Sequence, residues 1–175
     1  MPFGKGKTWF ANVGGAGERI VGGWQVNVIT TLLSGFPLTP LAGSNRSGDG
    51  DTRNPDRPSL NPAFSGQVVT GNPNQWYNPA AFVLPAFGTY GNLGRGTYSG
   101  PGLATVDFSL FKNTAISERV SLQFRAEAFN LLNHTNYASP NAIVFSGASV
   151  SPSAGLITTT ATFSRQLQLG LKLTF

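Results

Sequence analysis

The chain has 175 residues, enough to bury one core, and nothing in its length asks for two domains. Charged residues are only 11%, against roughly a quarter in a typical soluble domain, while Gly (22), Pro (12) and Phe (13) are plentiful, so little charge is available to cover a water-facing surface. The net charge of +5 comes from 12 Lys and Arg spread singly, which argues against the clustered phosphate contacts of a nucleic-acid binder, and the absence of cysteine excludes disulfides and thiolate metal sites.

The start, MPFGKGKTWF, has no continuous apolar stretch and so no signal peptide, and Pro2 to Lys7 reads as the end of a preceding strand. An exported protein needs a leader, so the expectation is either an intracellular chain or one whose beginning is missing. No run approaches the roughly 18 apolar residues of a membrane helix, because Val28–Leu33 is broken by Thr30 and Thr31 and ends at Ser34-Gly35. Any crossing of a membrane must then be made by β-strands.

Four segments alternate with the period of two that gives a strand unlike faces. The first, about 22–33, sets Trp24, Val26, Val28 and Leu32 against Gln25, Asn27 and Thr31. Ser34–Gly102 follows as a long Gly/Pro/Asn/Ser-rich loop. Within it Asp49, Asp51 and Asp56 are spaced somewhat like calcium ligands, but Arg53 falls where the next ligand belongs and no Glu holds the twelfth position, so no metal is expected. Gly91, Gly94 and Gly96 do not lead a strand into a helix and read as loop glycines, not as a phosphate cradle.

The second strand, about 104–112, sets Val106, Phe108 and Leu110 against Thr105, Asp107 and Ser109. A tight turn, Asn113–Glu118, leads to the third, about 119–133, where Val120, Leu122, Phe124, Ala126 and Ala128 oppose Ser121, Gln123, Arg125 and Glu127. Pairing Asp107 with Arg125 across this turn would set Phe108 beside Phe124 and Leu110 beside Leu122, and keep both faces uniform. Asp107, Arg125 and Glu127 would then form a self-neutralising charged cluster. His134 is the only histidine, so a His-rich metal site is excluded within the chain and no Ser-His-Asp triad is expected around it; it reads as a polar residue entering the loop of about Ala138–Phe163. The fourth strand, about 163–175, sets Leu167, Leu169, Leu171, Leu173 and Phe175 against Gln166, Gln168, Lys172 and Thr174.

Except for the second, slightly short segment, these lengths match the roughly 9–11 residues of a tilted membrane strand. Short turns on one side and long loops on the other are the habit of outer-membrane barrels, with the long loops outside the cell. Trp24 and Phe175 would mark the periplasmic interface, and Phe36, Tyr137 and Phe163 the outer one. A soluble sandwich would also alternate, although two such long loops fit it poorly.

Several stretches, taken together and in order, resemble the last strands of Oar-like TonB-dependent receptors, the kind with a carboxypeptidase-regulatory-like N-terminal domain. They are Gly22-Gly23-Trp24-Gln25 leading to Ser34-Gly35-Phe36-Pro37-Leu38-Thr39; Trp76-Tyr77-Asn78-Pro79-Ala80-Ala81-Phe82; Phe87-Gly88 through Gly91-Asn92-Leu93-Gly94-Arg95 to Gly100-Pro101-Gly102; and Asp107 to Lys112 followed by Phe124-Arg125-Ala126-Glu127-Ala128-Phe129-Asn130-Leu131-Leu132-Asn133-His134. The resemblance implies an all-β fold: an antiparallel meander of about four long strands, the C-terminal part of a 22-stranded transmembrane barrel with long extracellular loops, here without plug, TonB box or leader. It implies transport, with Gln25, Asn27, Asp107, Gln123, Arg125, Glu127, Gln166, Gln168 and Lys172 facing the lumen. Leu171, Leu173 and Phe175 resemble the C-terminal signal read by the barrel-assembly machinery. The expected partners are outer-membrane lipid, the rest of the barrel and plug, and the TonB complex through the N-terminal part. No catalytic residue, cofactor or metal is expected, and the expected location is the outer membrane of a Gram-negative-type bacterium. The alternative is a secreted or surface β-rich binding module that uses Ala80–Gly102 and Ala138–Phe163 as its contact surface.

Overall fold

The structure is a computed structural model that describes residues 6, 8, 9, 15–51 and 55–175. Of the stretch Pro2 to Lys7, all but Gly6 lies outside the described residues, as does Arg53 of the Asp-rich loop. After a short helix α1 (Ala16–Val21), the chain is built from strands β1 (Trp24–Leu33), β2 (Pro37–Leu38), β3 (Ser59–Leu60), β4 (Val69–Asn72), β5 (Gln75–Tyr77), β6 (Phe82–Val83), β7 (Tyr98–Ser99), β8 (Leu103–Ala115), β9 (Ser121–Phe129), β10 (Phe145–Ser146), β11 (Ser149–Val150) and β12 (Gln166–Thr174), with a 3₁₀ turn at Pro79–Ala81. No described helix is long and apolar enough to cross a membrane. The chain divides into two compact units, one of residues 1–32, 104–134 and 163–175, the other of residues 33–103 and 135–162.

The first unit is the four-stranded sheet, in the order β1-β8-β9-β12, and its long strands are those with two-residue alternation. The fold class is therefore the expected one, all-β with an antiparallel meander, but the β8–β9 register differs from the expected pairing by four residues. Phe108 faces Ala128, Leu110 faces Ala126 and Phe111 faces Arg125. The cause is the turn: β8 continues through Asn113, Thr114 and Ala115, and the reversal is made by Ile116–Val120, closed by the Ile116 N–H donating to Val120 O at 2.9 Å. Because four is even, the slip leaves every side chain on its face. β9 also ends earlier than expected, at Phe129, because Asn130 and Asn133 take left-handed φ values of 50° and 52° that stop a strand and that asparagine tolerates better than most residues.

The second unit is made of the two long loops, about Ser34–Gly102 and Ala138–Phe163, which pack on one another. Four two-stranded ribbons (β2 with β7, β3 with β6, β4 with β5, β10 with β11) surround a core of Leu38, Tyr77, Ala81, Phe82, Leu93, Val144, Phe145 and Ala154. The two segments are stitched by Leu41 N–H to Ala142 O at 2.8 Å and Val144 N–H to Leu41 O at 2.9 Å. Gly35 is obligatory where the two segments flanking β2 and β7 converge, because a Cβ there would land on the Gly100 carbonyl.

Candidate functional site

The sheet presents two chemically unlike faces. β9 and β12 pair Leu122 with Leu173, Phe124 with Leu171, Ala126 with Leu169 and Ala128 with Leu167, so one face is a continuous apolar stripe. That stripe is open: Leu167, Leu169 and Leu171 are each 73% exposed and Leu173 54%. Lys112 lies on this face near the end of β8, where its ammonium donates to Gly22 O and stands 5.2 Å from the Trp24 ring centre. A long cationic side chain that covers apolar surface with its stem while its head reaches a polar strand end behaves in this way at membrane interfaces.

The opposite face carries the polar residues singled out from the sequence. Gln168 pairs with Glu127, Gly170 with Arg125 and Lys172 with Gln123, and Gln166 with Phe129 at the strand end. Gln25 and Asn27 are exposed on β1, on the side of Gly23, whose carbonyl accepts the Asn113 N–H at 2.9 Å. Gln123 donates through Nε2 to Asn113 Oδ1 at 2.7 Å, and Arg125 donates through Nε to Gln123 Oε1 at 2.6 Å while its guanidinium stands 5.3 Å from the Phe111 ring centre. The four-residue register change separates the expected cluster: Asp107 lies beyond the Arg125 position and its Oδ1 accepts the Asn130 N–H at 2.8 Å. Phe111 and Phe129 share this face, so it is less uniformly polar than alternation implies.

The stretch Asn130 to His134, which resembles receptor sequence, is a clasp across three strands. Asn130 Nδ2 donates to His134 O at 3.0 Å and to Phe163 O at 3.1 Å, and its Oδ1 accepts the His134 N–H at 3.0 Å. Leu131 N–H donates to Val106 O at 2.7 Å, and Asn133 Oδ1 accepts the Arg165 N–H at 2.9 Å. These bonds join β8, β9 and the approach to β12. The pairing was invisible in sequence because it rests on two residues in the left-handed region, for which the only local signal is their being asparagine. Of the expected girdle residues in this unit, Trp24 and Phe175 fall at one end of the sheet and Phe163 at the other; Phe175 is 93% and Phe163 81% exposed. Leu171 and Leu173 lie on the stripe and Phe175 ends the chain just beyond β12.

In the second unit, the stretch Trp76 to Phe82 gives Tyr77, Ala81 and Phe82 to the core, with Trp76 packed against it. Tyr77 is fully buried, its hydroxyl donates to Asn141 O at 2.8 Å, and burial holds its phenol well above the ordinary range. Asn78 caps the 3₁₀ turn by accepting the Ala80 N–H at 3.0 Å, and Phe82 meets Tyr77 and Tyr98 edge-on, each with centres 5.9 Å apart. In the Asp-rich loop, Asp56 accepts from Ser47 N–H at 2.6 Å and Ser47 Oγ at 3.1 Å, while Asp49 accepts from Asp51 N–H at 2.9 Å. Tyr90 donates its hydroxyl to Asp49 Oδ2 at 3.2 Å, and that bond raises the phenol's pKa. Among the described residues no group of three or more acidic, His or Cys side chains is arranged to hold a metal ion.

A family model described as an outer membrane beta barrel domain matches residues 1–168. No curated protein and no solved structure matches the chain. The match spans nearly the whole sequence and agrees with a sheet whose apolar face lies open.

Proposed function

Since the chain belongs to the outer membrane beta barrel domain family and its place is the outer membrane, we propose that it forms wall and outer loops of a TonB-dependent receptor of the Oar-like kind. The observation that carries this reading is the leucine stripe of β12, a regular strand face left 54–73% exposed where a soluble protein would cover it. Facing lipid, the stripe needs no protein partner. The strands of 9–13 residues that carry it are long enough to cross the hydrocarbon. Gln25, Asn27, Asp107, Gln123, Arg125, Glu127, Gln166, Gln168 and Lys172 then line a wet lumen against a plug. Four strands cannot close such a barrel, and an open edge in hydrocarbon costs several kcal/mol for each unpaired backbone group, so β1 and β12 require neighbouring strands.

In this reading Leu171, Leu173 and Phe175 are the segment offered to the barrel-assembly machinery, TonB acts through the N-terminal part of the receptor, and the chain performs no catalytic step. The test is the genomic sequence read in frame upstream of the Met1 codon. Further alternating strands, a plug and a signal peptide are the expected finding. A stop codon and ribosome-binding site directly before Met1 would overturn the receptor assignment.

A further inference from the structure

A cleft of about 540 Å³ opens in the second unit, lined among others by Asp49, Asp51, Asp56, Arg57, Tyr90 and Arg95. That volume lies in the roughly 300–1,000 Å³ range of small-molecule sites. Its acidic and basic members are in different states. Both oxygens of Asp56 are occupied by Ser47, and Asp49 already accepts from Asp51 N–H and the Tyr90 hydroxyl. Arg57 and Arg95, by contrast, have no hydrogen-bond or ion-pair partner among the described residues. Arg57 is nonetheless held in place, because Gly91 packs directly on its backbone: a Cβ at Gly91 would collide with the Arg57 and Pro58 carbonyls. Leu60 N–H to Asn92 Oδ1 at 2.8 Å and Leu93 N–H to Pro58 O at 3.2 Å lock the same two segments together.

The cleft therefore has an excess of planar donors whose geometry matches a carboxylate. A polyanion is disfavoured, since three aspartates stand against two arginines in the lining. A zwitterion meets both signs: its carboxylate faces the guanidinium groups, and its ammonium faces Asp49, whose carboxylate retains acceptor capacity beyond its two bonds. The Tyr90 ring, 66% exposed, supplies a flat apolar wall. From this arrangement we infer that the cleft is a recognition site for small zwitterions carrying a free carboxylate, amino acids or the C-terminal end of short peptides, with Arg57 and Arg95 binding the carboxylate. Within the receptor reading such a ligand is a cargo met at the outer loops; the binding itself does not require that reading.

The test is calorimetric titration of the full chain, folded in detergent micelles, with trialanine, trialanine amide and inorganic phosphate. Trialanine is expected to bind saturably, with at least tenfold weaker binding for the amide and for the R57Q/R95Q variant, and a smaller loss for R57K, which keeps the charge without the fork. Equal affinity for acid and amide, no binding of trialanine, unchanged binding in R57Q/R95Q, or phosphate binding as tightly as trialanine would each overturn the assignment. The amide comparison uses the unaltered chain and so is independent of any folding defect in a variant. No TonB, plug or membrane enters the assay, so its failure leaves the receptor reading standing, and an upstream stop codon leaves this site standing.

Discussion

The two units reverse the usual association of regular structure with burial. The sheet unit has long, largely alternating strands, yet among its described residues Ala128 is the one buried hydrophobic side chain. The second unit consists of ribbons whose strands are two to four residues long, turns and extended segments, and it holds the core around Tyr77, Leu93 and Val144. The difference teaches where each draws its stability. In the proposed reading the sheet's apolar face is completed by the bilayer, whereas the second unit completes its own core.

If the cores are separate, Phe82→Ala should cost about 3–5 kcal/mol in the second unit alone. Amide exchange should then accelerate at Tyr77 and Val144 while the β9 amides keep their protection; equal loss in both would break the comparison. The lipid's share is tested by Leu171→Arg, which should destabilise the closed barrel that contains this sheet by about 2–4 kcal/mol in bilayers, against about 0–1 kcal/mol for Gln168→Arg on the polar face. Unfolding titrations in liposomes measure both, and similar costs would remove the distinction between the faces. Asp107→Ala strips the acceptor from the Asn130 N–H and should cost about 1–3 kcal/mol, seen as faster exchange at Asn130 with the second unit unchanged.

The smallest effect is expected at Tyr77. Its hydroxyl shares Asn141 O with the Gly155 N–H, so Tyr77→Phe leaves that carbonyl one donor and should cost about 0.5–1.5 kcal/mol. Its raised pKa has a definite sign in the pH dependence. The neutral phenol is favoured in the folded state, so this contribution is complete below the ordinary value of 10.0 and is lost as pH rises from there toward the folded value. Second-unit melting temperatures of the parent chain should fall above about pH 10, and less steeply in Tyr77→Phe.

The long strands were legible because period-two alternation is a local signal, and the sorting of side chains into faces survived even a mistaken register. The register itself was missed because Ile116–Val120 contains no Gly, Pro or Asn to announce the reversal, so the Asn at 113 drew the turn toward itself. The order of the second unit was not legible at all: Leu38, Tyr77, Leu93 and Val144 meet through long-range packing and follow no period. The stretches quoted from the sequence do contain Tyr77 and Phe82 of that core and, in the sheet unit, Asn130 of the clasp, but nothing in them showed what each would pack against. Arg57 carried no signal, because its proposed role comes from the Gly91 backbone pressed against it and from its lacking a partner among the described residues.

The core of the second unit also sets a sequence of events in time. Its two parts, residues 33–103 and 135–162, are separated in the chain by the whole of β8 and β9, and the bond from Tyr77 to Asn141 spans 64 positions. Such a contact bears the entropy of closing a long loop before any burial rewards it, which makes it slow compared with the β8–β9 hairpin. The core of the second unit is thus expected to form after that hairpin, so that its completion would mark maturation, an order that pulsed amide exchange at Tyr77 and in β9 would read.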